Sequence, residues 1–179
     1  MRNFAVIVAV WLAWLSASAT TLQQLSVDDL IGKASLIVRG RPRLANTTQN
    51  GRVIFTHYLV QVTEQWKGTP VNQVDVAVPG GTFNGAQQSY TGAPSFSDGQ
   101  ERIFFLWTSR SGLNQVLGLT QGVFNFEADT SGNLSVVREA SSDRMLDRTG
   151  KLVLDKGFRM ALPDFKGQVQ AVLGSARGN

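Results

Sequence analysis

Two residue types that often build functional sites are scarce in this chain of 179 residues, which has no cysteine and one histidine. Without cysteine there is no disulfide framework and no thiolate metal site. A single histidine, His57, excludes paired-histidine zinc motifs and most histidine relays. The formal charge of +4 is small and spread along the chain, so it gives weak support for a polyanionic partner.

The sequence also lacks the motifs that mark common catalytic sites. No G-x-S-x-G nucleophile elbow is present, and Pro79-Gly80-Gly81 is not followed by the Gly-Lys-Ser/Thr of a phosphate-binding loop. Asp143, Asp147 and Asp155 do not have the spacing of a calcium-binding loop, and basic residues lie between them. We therefore expect no catalytic residue, no bound metal and no cofactor, and a protein that is not an enzyme.

The amino terminus has the three parts of a secretory leader. Arg2 is a short positive region, residues 4–15 (FAVIVAVWLAWL) are apolar, and Ala17-Ser18-Ala19 is a small-x-small cleavage site. The apolar run is shorter than the roughly 20 residues that a membrane-spanning helix needs. We predict a signal peptide over residues 1–19, cleaved after Ala19, and a mature protein in the periplasm or the medium. The alternative is a buried or membrane-anchoring helix.

The rest of the chain is typical of an exported globular protein. No second apolar run of spanning length follows the leader, so we expect no membrane span after cleavage. The lack of cysteine favours a bacterial source, because small secreted eukaryotic domains usually carry disulfides. We predict one domain over residues 20–179, with a carboxyl-terminal extension from about residue 139 whose structure the pattern leaves open.

Alternation of apolar and polar residues predicts a mainly β fold. In the clearest strand, over residues 52–68, Tyr58, Val60 and Trp66 share the buried face and His57 lies on the solvent-facing side. Residues 103–107 (IFFLW) are apolar on both faces, which indicates a central strand covered on both sides. The shorter predicted strands cover residues 36–44, 71–78, 103–107, 113–126 (one bent strand or two) and 134–137.

A helix is predicted at each end of the mature chain. Ser26 followed by Asp29 is close to a capping box, so we expect a two-turn helix over residues 27–34. Pro163 suits the first turn of a closing helix, and apolar residues recur at helical spacing from there to Gly174. Residues 145–153 favour a small hairpin, and residues 46–51 a loop between the first two strands.

Four segments together resemble a group of uncharacterised exported bacterial proteins. They are Ile37-Val38-Arg39-Gly40, residues 62–68 (VTEQWKG), Val74-Asp75-Val76 and residues 99–106 (GQERIFFL). The pattern, over residues 30–126, is similar to the OB-like barrel of tissue-inhibitor-of-metalloproteinase and netrin-type domains. The resemblance implies a small OB-like antiparallel β-barrel with a short amino-terminal helix and a carboxyl-terminal helix. The animal inhibitors chelate zinc through an amino-terminal cysteine, which this chain lacks, so their mechanism does not carry over.

A basic stripe is the first candidate binding site. Arg39, Arg41 and Arg43 share one face of the strand over residues 36–44. OB-type barrels bind oligonucleotides and sugars on a strand face, so the stripe is a candidate for a polyanionic or saccharide ligand. No aromatic residues interleave with it for base stacking, so we expect no nucleic-acid partner. The alternative is a solvated face that discourages edge pairing.

The second candidate is the segment over residues 80–100, which has no convincing period. A loop of about twenty residues is unusual in a compact domain and is often functional. It offers an adaptable contact surface if its aromatic side chains are exposed, and a lid over one end of the barrel if they lie in the core. The candidate ligand-binding residues in this loop are Phe83, Asn84, Tyr90 and Phe96.

We therefore expect a non-enzymatic exported module that binds an unidentified protein, polyanion or saccharide. One alternative is a regulator or inhibitor of an exported protease, which rests on the resemblance alone. A second is a hydrolase with an unrecognised site, for which His57 is the most obvious base. Without that role, His57 is expected on the surface or at the rim of the sheet.

The export prediction is tested by the intact mass of the secreted protein, which we expect to match a chain beginning at Thr20. Replacing Ala19 with arginine blocks cleavage, because the peptidase needs a small residue there, and the product retains residues 1–19. Ser18→Arg, between the two small positions, is the control and leaves cleavage intact. A secreted wild-type protein that retains its leader would contradict the prediction.

Overall fold

The computed structural model describes residues 21–176, so the predicted signal peptide lies outside the described residues. Within them the protein is mainly β with two α-helices, as the alternation predicted. Helix α1 covers Val27–Lys33 and helix α2 covers Leu162–Ser175. The strands are β1 (Leu22–Gln23), β2 (Leu36–Asn50), β3 (Val53–Lys67), β4 (Gln73–Pro79), β5 (Gly81–Phe83), β6 (Ala86–Gln88), β7 (Arg102–Thr108), β8 (Asn114–Val116), β9 (Val123–Ala128), β10 (Leu134–Arg138), β11 (Met145–Leu146), β12 (Leu152–Val153) and β13 (Phe158–Ala161).

Eight strands form one large sheet in the order β13-β10-β9-β7-β2-β3-β4-β8. The last strand, β8, pairs with β4 and also with β7. Two pairings are parallel, β4 with β8 and β1 with β11, so the expectation of a purely antiparallel sheet does not hold there. In the large sheet, β2, β3, β4, β8 and β7 pair in a cycle. Because the number of strands in this cycle is odd, strand direction cannot alternate at every pair, and one pair has to be parallel.

Strand β7 lies between two separate hydrophobic cores. Phe104 and Leu106 belong to the first core, among β2, β3, β4 and β8. Ile103 and Phe105 point to the other side, into a second core against α1 and α2. All four side chains are fully buried. The prediction of a strand covered on both faces is confirmed for these residues, whereas Trp107 is 38% exposed.

Helix α2 packs into the second core through two buried side chains, those of Phe165 and Val169. Phe165 is fully buried, and its ring centroid lies 5.4 Å from that of Phe124 and 5.6 Å from that of Phe158. Burial of a phenylalanine contributes about 1.5–3 kcal/mol, which explains why this helix docks on the sheet. Neither helix within residues 21–176 is long and apolar enough to cross a bilayer.

Helix α1 begins where its sequence predicts. The Asp29 N–H donates to Ser26 Oγ at 3.1 Å and the Ser26 N–H donates to Asp29 Oδ2 at 3.1 Å, so the capping box is formed. The two reciprocal bonds satisfy donors that the first turn of a helix leaves free. Leu30 and Ile31 then face the second core.

The β2–β3 hairpin differs from its prediction in two ways. Residues 46–50 were expected in a loop, but they continue β2 and pair with residues 53–57. Backbone hydrogen bonds hold residues 46–50 on β3 without a buried side-chain face of their own, so the apolar pattern of a strand is missing from these residues. Trp66 is left without a partner on β2 where the register shifts between Ile37 and Val38. The bulge turns its side chain toward Phe165, 6.0 Å away between ring centroids, and away from the Tyr58 face.

Two glycine substitutions test the packing of this fold by urea unfolding. A Cβ on Gly40 would lie 2.5 Å from the Gln61 carbonyl oxygen, so Gly40→Ala is expected to destabilise by about 1–3 kcal/mol. Gly167, inside α2, has nothing within 4 Å of its added Cβ, and Gly167→Ala is expected to stabilise by about 0.5–1 kcal/mol. Equal stability of the two variants would contradict this packing.

Candidate functional site

The predicted arginine stripe is largely ion-paired. Arg39 Nη2 donates to Glu101 Oε2 at 2.5 Å, and its guanidinium lies 4.5 Å from the centre of the Phe126 ring. Arg41 Nη2 lies 3.8 Å from Glu101 Oε1 and its side chain is 59% exposed. Arg43 is exposed and forms no ion pair within residues 21–176. The structure therefore gathers Arg39 and Arg41 on one carboxylate and leaves Arg43 apart.

Glu101 is the acidic centre of this cluster. Burial alone would raise the pKa of its carboxyl, but hydrogen bonds from Arg39 and Thr63 and the nearby arginine charges outweigh burial and lower that pKa below its usual 4.5. Thr63 Oγ1 donates to Glu101 Oε1 at 2.8 Å. The carboxylate thus offsets part of the charge of the stripe from within the protein, which is the arrangement of a structural ion-pair cluster.

The four candidates of the long loop lie in different surroundings. Phe83 and Asn84 are at the turn of the β5–β6 hairpin, where Asn84 has a φ of 48°. Tyr90 is 41% exposed. Phe96 is buried in the first core, with its ring centroid 4.8 Å from Tyr58 and 5.2 Å from Phe104. The loop is thus anchored by Phe96, and the seven candidates named from the sequence do not converge on one site.

A cavity of about 350 Å³ opens beside Phe96. We call it the Arg102 cavity. Its walls come from segments that are far apart in the sequence. They are the end of the long loop, the start of β7, a short 3-10 helix (Leu119–Gly122), β9, and the extension that follows β10. Its lining comprises residues 93–96, Arg102, Thr120, Val123, Asn125 and residues 138–141.

The guanidinium of Arg102 carries an uncompensated charge in this cavity. Its Nη1 donates to Asn125 Oδ1 at 2.6 Å and its Nη2 to Gln100 Oε1 at 2.7 Å, and both acceptors are neutral amides. Within residues 21–176 it forms no ion pair, and its Nε is buried without a hydrogen-bond partner. Burial lowers the pKa of Arg102. Buried charges in proteins are normally paired, so this one is available to an anion.

Thr120 gives the cavity a second unused polar group. Its Oγ1 is buried and has no hydrogen-bond partner among the described residues. The backbone around it is fixed, because the Thr120 N–H donates to the Gly92 carbonyl at 3.1 Å and the side chain of Gln121 is bonded to Leu25 N and Gln23 O. A hydroxyl on a fixed backbone can donate to or accept from a ligand.

The other charged residues of the cavity do not neutralise Arg102. Arg138 Nη2 donates to Asp155 Oδ1 at 2.9 Å, and the Asp155 side chain is 2% exposed. Asp155 also accepts from the Ser141 N–H at 2.9 Å, so its charge is committed to this network. Glu139 is exposed and forms no ion pair within residues 21–176. The lining of the cavity thus holds one guanidinium without a carboxylate partner, that of Arg102, and one exposed carboxylate without a basic partner, that of Glu139.

His57 is buried at 6% exposure, so its expected position on the surface or rim is wrong. Its Nε2 lies 2.8 Å from Thr48 Oγ1 and its Nδ1 lies 2.9 Å from Asp75 Oδ2. The order hydroxyl, imidazole, carboxylate is that of a catalytic triad. Here, however, the three residues come from neighbouring strands β2, β3 and β4, and none of them lines a described cavity. The network joins three strands on their outer face.

Neither a metal site among the described residues nor a comparison with known proteins assigns a function to this chain. Within residues 21–176 no three His, Cys, Asp or Glu side chains are grouped so that they could hold a metal ion. No protein-family model matches the chain, and no curated protein matches it. Every functional assignment for this protein therefore rests on the geometry of its own residues.

Arg102 and Thr120 were missed by sequence reasoning. The position of Arg102 in the sequence could have identified it. Arg102 directly precedes residues 103–106, which are buried on both faces of the strand, so its side chain begins at the edge of a core. Thr120 had no such signal, because it lies in a segment that was expected to be part of a strand. Its place in the lining of the cavity depends on the 3-10 turn, which follows the left-handed residue Gly118.

Replacement of Glu101 by glutamine tests the ion-pair cluster. Since the folded-state pKa of Glu101 is lowered, its contribution to stability is present above pH 4.5 and is lost as the pH falls through the folded pKa. At pH 7 we expect Glu101→Gln to lower the free energy of unfolding by about 1–2 kcal/mol. The difference from wild type should shrink below pH 4.5. Glu139→Gln is the control with no effect, and a pH-independent Glu101 effect would contradict this assignment.

Proposed function

We propose that this protein is a non-enzymatic exported binding module that takes a carboxylate-bearing ligand of the acidic-saccharide class in the Arg102 cavity. The observation that carries the proposal is the partly buried Arg102, whose described partners are all neutral and whose Nε is unused. A carboxylate beside the guanidinium would supply the missing counter-charge. Charge-assisted bonds of this kind are roughly twice as strong as neutral ones.

The remaining lining suits a sugar ring. Phe96 and Val123 offer apolar surface, whereas Ser95 and Thr120 offer hydroxyl groups. Sugar sites commonly combine these two kinds of surface, because a sugar has apolar C–H faces and polar edges. A volume of about 350 Å³ is near the lower limit for ligand cavities, which fits one sugar unit or the end of a longer chain.

An OB-like barrel is the proposed architecture behind this site. The support is the cyclic pairing of β2, β3, β4, β8 and β7, together with the similarity to tissue-inhibitor-of-metalloproteinase and netrin-type domains. Export to the periplasm or the medium is supported by the leader pattern of residues 1–19. Regulation of an exported protease remains an alternative with no support beyond that similarity.

Isothermal titration of the secreted protein tests the ligand class. Galacturonic acid is the probe, and galactose, which lacks the carboxylate, is its neutral counterpart. We expect galacturonic acid to bind at least tenfold more tightly than galactose, and Arg102→Met to remove that preference. Arg110→Met removes the same charge from an exposed turn and is the matched control.

Three outcomes decide between the proposal and its rivals. Loss of the acid preference in Arg102→Met alone supports the cavity as the site. Equal loss in Arg110→Met would assign it to overall charge. No binding of either sugar, or equal binding of both, would overturn the acidic-saccharide assignment. Unfolding curves of the two variants identify any loss that comes from misfolding.

A further inference from the structure

A short ridge on the carboxyl-terminal extension exposes two leucines between two lysines. Leu154 is 84% exposed, the highest value for a large apolar side chain within residues 21–176, and Leu152 is 53% exposed. Lys151 and Lys156 flank them and are also exposed. We call these four residues the Leu152–Leu154 ridge.

The local strand pairing explains why the leucines point outward. Val153 lies opposite Met145 in the β11–β12 pair, and Met145 is fully buried. Side chains alternate along an extended chain, so the residues on either side of Val153 face away from the protein. The register of β12 thus turns Leu152 outward, and Leu154, which directly follows the strand, is exposed as well.

Acidic residues near the ridge do not cancel its positive charge. Asp155 is bonded to Arg138 and nearly fully buried. Asp147 accepts from the backbone N–H groups of Thr149 and Lys151, which holds it within its own turn. Neither lysine of the ridge forms an ion pair within the described residues. The outward surface therefore combines apolar side chains with uncompensated positive charge.

We propose that the Leu152–Leu154 ridge binds the surface of an anionic lipid bilayer. Apolar side chains flanked by basic residues are the pattern that inserts at a membrane interface. Each lysine near an anionic surface strengthens binding by about fivefold, and insertion of a leucine contributes about tenfold. Neither pair of residues suffices alone, so the attachment is reversible and needs both.

The composition of the ridge favours lipid over a protein partner. Protein interfaces are depleted in lysine, and their energetic centres are rich in Trp, Tyr and Arg, whereas leucine is under-represented there. The proposal rests on residues outside the Arg102 cavity and does not depend on the ligand proposed there.

Co-sedimentation of the secreted protein with vesicles tests the proposal. One set of vesicles contains phosphatidylcholine alone, and the other contains three parts phosphatidylcholine to one part phosphatidylglycerol. We expect binding to the mixed vesicles that is at least tenfold stronger than to phosphatidylcholine alone and that weakens as salt is added. Intact mass first establishes that residues 1–19 are absent from the protein used.

Matched variants locate the binding surface. The pair Leu152→Asn and Leu154→Asn should weaken binding to mixed vesicles at least tenfold, and so should the pair Lys151→Gln and Lys156→Gln. The control is Leu44→Asn with Val71→Asn, which removes two other exposed apolar side chains, 55% and 37% exposed, and should leave binding unchanged. Equal unfolding midpoints exclude misfolding of the variants.

The proposal fails if the mixed vesicles do not bind the protein, or if the control pair weakens binding as much as the ridge variants. It also fails if phosphatidylcholine alone binds equally well. Absence of vesicle binding together with self-association that the leucine variants abolish would assign the ridge to a second copy of the chain instead.

Discussion

The burial of β7 on both faces is the constraint on which the rest of the structure depends. Phe104 and Leu106 complete one core while Ile103 and Phe105 complete the other, so the strand cannot shift without opening both. The strand also contacts β2 on one edge and both β8 and β9 on the other. Arg102 is the first residue of this strand, and its backbone is therefore fixed at the edge of the first core.

Alternation at the start of β7 separates two neighbouring charges. Glu101, directly before the strand, contacts Arg39 and Arg41 on the side of the sheet that carries the second core, whereas Arg102 points toward Phe96 in the first core. Because side chains on successive residues of an extended chain face opposite ways, Glu101 cannot neutralise its neighbour. Of the predicted stripe, Arg39 and Arg41 are paired with Glu101, whereas Arg102 has no carboxylate partner among the described residues.

The sequence was sufficient to predict those elements whose contacts lie between residues close together in the chain. The capping box that opens α1, the proline at the start of α2 and the hairpin of β11 and β12 all follow from residues close together in the chain. Trp66 and His57 were assigned to the wrong environments, because a bulge and cross-strand partners decide where they lie. The Arg102 cavity joins segments from residue 93 to residue 141, and no local pattern predicts which of them meet.

The central claim is that the Arg102 guanidinium, which has no carboxylate partner among the described residues, receives an anion. The most direct test is the side-chain Nε–Hε resonance of Arg102 in heteronuclear NMR, assigned by its loss in Arg102→Lys. We predict that this signal shifts on addition of galacturonic acid but not of galactose. A signal that galacturonic acid leaves unchanged would contradict the claim.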